Sequence, residues 1–238
     1  MPGNIVVLIS GNGSNLQSLI EHQQAGDFRI AAVISNNPAA FGLQRAQQAG
    51  IPAQVVDHRE YTDREQFDLA LLQAIDVFAP DLLVLAGFMR ILSPPFVRHF
   101  QGRMLNIHPS LLPAYRGTRT HQRVLDAGET QHGVSVHFVT EELDGGPVVA
   151  QVIIPVLATD DSNSLAQRLA VEEHKIYPQV VSWFCAGKLQ VQAQQVWLDD
   201  KPLPIGGVRY CSEDLSAQSS DQSIKASQDE VNCPKTCS

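Results

Sequence analysis

Residues 4–20, NIVVLISGNGSNLQSLI, run from an unbroken apolar segment into two glycines and small polar residues, and then into a helix-like pattern. An apolar strand that turns through glycine into a helix is the opening unit of a parallel α/β sheet, and the turn is where such sheets take ligands. A dinucleotide fingerprint needs a third glycine three positions after the second, where helix and strand come too close for a side chain. Gly11 and Gly13 are followed at that position by Leu16. The phosphate-binding logic survives, because Gly13, Ser14 and Asn15 can offer backbone N–H groups at a helix N-terminus to an anion. The same residues also fit a plain strand-to-helix turn with Ser14 or Asn15 as N-cap.

Outward from this unit, the apolar runs NIVVLIS, RIAAVIS, AQVV and DLLVLA alternate with amphipathic stretches up to about residue 86. Continuous apolar strands separated by helices imply a parallel sheet covered on both faces. The third helix starts at TDRE, where Thr62 and Glu65 fit a capping box and Phe67, Leu71, Ile75 and Phe78 follow at helical spacing. Arg64 therefore falls in the first helical turn, at the rim of the sheet. Beyond GFMRILSPPF come a short strand, RMLNIH, a proline-rich loop, PSLLPAYRG, and a helix expected over about 119–127. GVSVHFV and PVVAQVIIPV alternate as half-exposed strands do, so the second half of the sheet is expected to be mixed. SLAQRLAVEEHKIYPQVVSWFCAG reads as one long closing helix with Pro178 as the place to kink or break, and LQVQ and QVWLD as two short final strands. The fold class is α/β: an open, mostly parallel twisted sheet with an antiparallel portion and helices on both faces.

With 238 residues, 44% of them hydrophobic, the chain can bury one sizeable core. A formal charge of -8 opposes a broad nucleic-acid footprint, so no nucleic-acid partner is expected and a small anion would need locally placed donors. No apolar run has the length of a membrane span and no basic leader precedes a signal-like core, which reads as a cytoplasmic protein without a membrane partner. Cys185 lies in a helical apolar pattern and Cys211, Cys233 and Cys237 near the C-terminal end, which suits neither a disulfide framework nor a zinc site; no metal is expected. Residues 211–238 are rich in Ser, Gln, Asp and Lys and are expected to be a disordered tail without a function for CPKTC, leaving residues 1–210 as the domain.

The chemistry concentrates in LNIHPSLLP, residues 105–113. On a strand, Asn106 and His108 project to the same face, and Pro109 then forces the chain out of the sheet. An amide that can donate to a developing oxyanion and an imidazole that exchanges a proton near neutrality are what acyl transfer requires. In TEELDGGPV, Asp144 precedes two glycines. Asp-Gly is a hairpin turn signal, and equally a way to bring a carboxylate over to His108; spacing alone leaves both open.

Several motifs together carry a resemblance. NIVVLISGNGSNLQ, AGFMRILSP, NIHPSLLP, GVSVHFVTEELDGGPVV and EEHKIYP occur in the order and at the intervals of the glycinamide ribonucleotide formyltransferase family, which the chain resembles over about residues 3–208. The resemblance implies a Rossmann-like formyltransferase fold, with residues 1–210 as catalytic domain, and an enzyme of de novo purine synthesis. It would use 10-formyltetrahydrofolate as cosubstrate, without metal, and glycinamide ribonucleotide as acceptor. It implies Asn106, His108 and Asp144 as the catalytic set, and Gly13, Ser14, Asn15 and Glu173 as contacts to the ribonucleotide. For the folate it implies Arg64 near the glutamyl carboxylate, Met89, Arg90, Ile91 and Leu92 along the pocket, and Asn106 with the loop Thr140, Glu141, Glu142, Leu143 and Asp144. Against Glu173 stands the reading of EEHK as a solvated helix face. Ala170 replaces a residue often polar in relatives, which would remove one phosphate or sugar contact, and AYRGTRTH also departs from some of them.

The implied reaction is direct attack of the amine on the formyl carbon. Rival readings are a 10-formyltetrahydrofolate hydrolase, expected to carry a further domain ahead of a first strand that here starts at Asn4, and a methionyl-tRNA formyltransferase, expected to need a further C-terminal domain and a basic surface. A non-catalytic nucleotide-binding protein on the same fold is a rival of another class. The expected assembly is a monomer or homodimer.

Overall fold

The computed structural model describes residues 1–212. Strand β1 (Gly3–Ile9) leads into helix α1 (Ser14–His22), and β2 (Phe28–Ser35), α2 (Gly42–Gln48), β3 (Ala53–Val55) and α3 (Arg64–Asp76) follow. The chain then returns past β1 with β4 (Leu82–Leu85), α4 (Pro94–His99), β5 (Met104–His108) and α5 (Thr120–Asp126). It closes with β6 (Gln131–Phe138), β7 (Val148–Pro155), α6 (Ser162–Cys185), β8 (Leu189–Gln192), β9 (Gln195–Leu198), β10 (Lys201–Pro202) and β11 (Val208–Cys211).

The main sheet has eight strands in the order β11-β7-β6-β5-β4-β1-β2-β3. The five strands β3, β2, β1, β4 and β5 are parallel, while β6 runs antiparallel to both β5 and β7. Because strand order reverses between β1 and β4, the crevice beyond their C-terminal ends is the topological switch point, where open sheets of this kind hold ligands. The continuous apolar run of β1 has a direct cause. Ile5, Val7 and Ile9 point into a core shared with α1 and α6, and Val6 and Leu8 into a second core with α3 and α4. The buried Tyr177 of α6 places its hydroxyl 2.9 Å from the Leu85 carbonyl and 3.0 Å from that of Leu105, next to the ends of β4 and β5.

Several local expectations are corrected. The cap of α3 is Asp63, whose carboxylate accepts from the Gln66 N–H at 2.8 Å, so Thr62 and Glu65 do not form the capping box; Arg64 does open the helix. Helix α6 is capped by a reciprocal Asp161–Ser164 box and runs unbroken through Pro178. Ile176, Tyr177, Pro178, Val180 and Val181 are all buried there, and that packing outweighs the one backbone donor proline lacks. The strands at LQVQ and QVWLD exist, but with β10 they form a separate antiparallel sheet. A further strand, β11, joins the main sheet parallel to β7, and it ends on Cys211, the first residue of the segment expected to be disordered. The remainder of that expectation, with Cys233 and Cys237, lies outside the described residues.

Candidate active site

Three loops, after β1, after β4 and between β6 and β7, carry expected site residues. The first follows β1. Gly13 itself is the N-cap of α1, at φ 74°, and no side chain among the described residues caps the helix, so neither Ser14 nor Asn15 has the capping role. A Cβ on Gly13 would lie 2.7 Å from the Gly42 Cα, so both the left-handed backbone and the close approach require glycine. With no capping side chain among the described residues, the first-turn amides of α1 are left available at its positive end. Asn15 donates from Nδ2 to Glu173 Oε2 at 2.9 Å, joining residues 158 positions apart, while its Oδ1 is buried without a partner among the described residues. Burial pushes the Glu173 carboxyl up, and the Asn15 hydrogen bond opposes that rise. The two glutamates of EEHK are not on a solvated face, although Lys175 is exposed: Glu172 is buried and paired with Lys175, and Glu173 of α6 bonds Asn15 in the first turn of α1.

Arg45 of α2 braces the same loop, with Nε 3.0 Å from the Asn12 carbonyl and a terminal nitrogen 3.1 Å from Asn12 Oδ1. A cavity of about 470 Å³ opens on the outer flank of α1, and of the expected ribonucleotide contacts it touches only Ser14.

The second loop follows β4 and carries Met89, Arg90, Ile91 and Leu92. Met89 and Ile91 are 74% and 59% exposed, unusual for side chains of their size, and Leu143 of the third loop is 52% exposed. Leu92 packs against the α3–α4 core. The Arg90 guanidinium stacks 4.8 Å from the centroid of Phe67, and its Nε is buried with no partner among the described residues. Phe67 lies one turn along α3 from the exposed Arg64. Asp68 fixes the loop's end by accepting from the Ser93 N–H at 2.5 Å.

The third loop, between β6 and β7, brings Asp144 to the end of β5. Asp144 Oδ2 is 3.5 Å from His108 Nδ1, and both side chains are 8% exposed. Its backbone is left-handed at φ 48°, a conformation costing on the order of 1 kcal/mol that Asp tolerates better than most residues. A Cβ on Gly146 would overlap the Phe138 carbonyl oxygen, so glycine is obligatory where the loop turns back over the strand. The Gly117 N–H donates to Asp144 Oδ2 at 2.8 Å, fixing the carboxylate from the other side. Glu141 and Glu142 form exposed ion pairs with Arg98 and Arg116, and Thr140 Oγ1 lies 3.4 Å from the Glu142 carbonyl.

The histidine contacts define proton positions. The Tyr115 carbonyl, 3.1 Å from His108 Nε2, can only accept, so Nε2 carries a hydrogen; Nδ1 faces the Asp144 carboxylate. His137 was not singled out in the sequence. Its Nδ1 donates to the Phe138 carbonyl at 2.9 Å, which leaves Nε2 as the acceptor for Asn106 Nδ2 at 3.1 Å. Burial pushes the His137 pKa down, and a neutral ring is what this arrangement needs. His137 therefore determines which way the Asn106 amide points, and leaves its second N–H for another acceptor. His121 and His132 form a further neutral pair, Nδ1 to Nε2 at 3.0 Å, with His132 pushed down to about 4 by burial.

Two more residues that the sequence reading passed over support the proline-rich loop. Ser135 Oγ donates to the Ser110 carbonyl at 2.6 Å and accepts from the Leu112 N–H at 3.0 Å, and Gln151 Nε2 reaches the Leu112 carbonyl at 2.9 Å. Their signal was a polar residue at an inward position of an apolar strand. A cavity of about 280 Å³ lies behind Asp144, between Pro113, Arg116 and the C-terminal segment. Among the described residues no group of three or more His, Cys, Asp or Glu is arranged to hold a metal ion, and no helix is long and apolar enough to cross a membrane.

The site thus offers an oriented amide, an imidazole held between a carboxylate and a carbonyl, the N-terminus of α1, and an exposed apolar rim. The formyl transferase family model matches residues 3–181. The phosphoribosylglycinamide formyltransferase of Escherichia coli (strain K12) is 52% identical over 206 residues, spanning 86% of this chain and 97% of the relative. The structure of the phosphoribosylglycinamide formyltransferase from Coxiella burnetii superposes with a TM-score of 0.85 at 52% identity, over 88% of this chain and 100% of that one. A formyltetrahydrofolate deformylase from Pseudomonas putida KT2440 shares the fold at a TM-score of 0.74 and 25% identity, over 83% of this chain and 70% of that one. The chain belongs to the formyl transferase family, within its phosphoribosylglycinamide formyltransferase branch.

Proposed function

We propose that this chain transfers the formyl group of 10-formyltetrahydrofolate to the amine of glycinamide ribonucleotide, as a step of de novo purine synthesis. The observation that carries the reading is the set Asn106, His108 and Asp144, in which the amide is oriented by His137 and the imidazole is held between a carboxylate and a carbonyl. The ribonucleotide phosphate sits on the N–H groups of Gly13, Ser14 and Asn15, and Glu173 takes sugar hydroxyls with Asn15 Oδ1, which has no partner among the described residues. The folate lies along Met89, Arg90, Ile91 and Leu92 against Asn106 and Thr140 to Asp144, its glutamyl carboxylate toward Arg64. The chain works on small molecules, in the cytoplasm, as a monomer or homodimer, and needs no metal.

The neutral amine attacks the formyl carbon directly. A C–N bond forms, the carbonyl pair moves to oxygen, and the tetrahedral oxyanion is met by the Asn106 N–H and by His108 Nε2–H once the latter leaves the Tyr115 carbonyl. One well-placed donor of this kind is worth about 3 to 4 kcal/mol. Asp144 compensates the positive charge on the ring. The bond from carbon to N10 of the folate then breaks, and the proton lost by the amine reaches N10 through water. Two ligands held face to face supply the proximity contribution.

The test follows folate deformylation by absorbance, with and without glycinamide ribonucleotide. Product that forms only with the ribonucleotide supports the transferase. Folate consumption with water alone identifies a hydrolase, and no consumption in either case identifies a non-catalytic binder.

A further inference from the structure

The two ligand loops leave the sheet from adjacent strands. The Ala86 N–H donates to the Leu8 carbonyl at 2.9 Å, and beyond that bond the loop after β1 goes to the Gly13–Asn15 turn and the loop after β4 to Met89–Leu92. Among the described residues one hydrogen bond spans this fork. The Met89 N–H donates to Ser10 Oγ at 2.8 Å. A hydroxyl has a single hydrogen, and that of Ser10 goes to Asn36 Oδ1 at 2.6 Å. The loop residues around Ser10 are gripped by the segment after β2. Asn37 Nδ2 donates to the Ser10 carbonyl at 3.3 Å, the Gly42 N–H to the Gly11 carbonyl at 3.1 Å, and Arg45 holds Asn12. The phosphate loop is therefore one braced body, and the Ser10 hydroxyl is its link to the other ligand's rim.

Resting on the ribonucleotide and folate assignments above, we propose that Ser10 is a positioning residue that couples the two substrate sites: a phosphate that shifts the braced loop carries the Ser10 hydroxyl with it, and through that hydroxyl Met89 and the folate rim. Met89 is 74% exposed, so its backbone has little side-chain packing to hold it and depends on this bond. Coupling of this kind is reciprocal, since each ligand must favour the other by the same factor.

The dead-end pair of tetrahydrofolate and glycinamide ribonucleotide, which has no formyl group to transfer, isolates binding from chemistry. Calorimetric titration of the full chain gives the tetrahydrofolate Kd with and without saturating ribonucleotide. The wild type is expected to show a tightening of about fivefold or more, equal to about 1 kcal/mol. In Ser10→Ala that factor falls below about twofold, whereas Ser10→Thr, which keeps the hydroxyl, retains it. Asn36→Ala, which removes the acceptor that orients the hydroxyl, lowers it by a second route. A merely structural role would weaken both ligands singly and leave the factor intact. Wild-type coupling in both Ser10→Ala and Asn36→Ala, or no coupling in the wild type while both ligands bind, overturns the proposal alone. A wild type that binds neither ligand overturns the functional reading on which it rests.

Discussion

Replacing His137 by alanine removes the acceptor that orients the Asn106 amide, and the structure bounds what that costs. The lower bound is the one hydrogen bond from Asn106 Nδ2 to His137 Nε2, about 1 kcal/mol or roughly fivefold in turnover. The upper bound is complete loss of Asn106 as an oxyanion donor, about 3 to 4 kcal/mol or on the order of 100- to 1000-fold. The kcat of His137→Ala is expected between these limits, with both KM values within about threefold of wild type, because His137 is buried behind the amide and sits in neither ligand loop. Thermal melts separate a folding defect from the catalytic one. The stricter assay is the double-mutant cycle with Asn106→Ala. If His137 acts through Asn106, the double variant is no slower than Asn106→Ala alone. Additive losses would give His137 a role of its own, independent of Asn106.

Other perturbations follow from the same geometry. Gly13→Ala places a left-handed alanine against the Gly42 Cα and should raise the ribonucleotide KM about tenfold or more while the folate KM moves less than threefold; steady-state kinetics in each substrate would show the phosphate wrongly placed if the pattern were reversed. Arg45→Gln removes charged hydrogen bonds to Asn12 and is expected to raise the ribonucleotide KM about tenfold with kcat within threefold. His132 is depressed to about 4 in the folded state, so its neutral form is favoured there; its contribution to stability is complete above about pH 6.5 and is lost as pH falls toward 4. Urea denaturation should therefore show wild type losing about 2 kcal/mol more than His132→Gln between pH 7.5 and 5, and parallel losses would contradict it.

Much of the fold is legible because strands buried on both faces leave unbroken apolar runs, as β1 does, and because α3 sets Phe67, Leu71 and Ile75 four residues apart on its buried side. The caps are not legible in the sequence, for local reasons. Thr62 and Asp63 are adjacent competent caps, and tertiary contact with Gly42, not propensity, makes Gly13 the cap of α1. Strand β11 escaped because VRYC is too short to show a period; its place is set by pairing with β7. In the site, Asn106 and His108 share a strand and announce themselves, whereas Asp144 and Glu173 reach their partners across 36 and 158 positions through the topology. His137 was hidden for the opposite reason. One histidine in an apolar strand looks like a core residue, and its role exists only through the β5–β6 register that sets it opposite Asn106.

In the proposed mechanism protonated His108, held by Asp144, donates to the oxyanion beside Asn106. Asp144→Asn keeps the shape of the side chain and an oxygen for the Gly117 N–H but removes the charge facing His108 Nδ1. Single-turnover formyl transfer with both substrates saturating, beside ribonucleotide affinity measured separately, isolates the chemistry. Asp144→Asn and His108→Ala are each expected to lose at least about 100-fold in transfer rate, with the ribonucleotide Kd within about threefold of wild type. Transfer within tenfold of wild type in either variant would contradict the proposed mechanism.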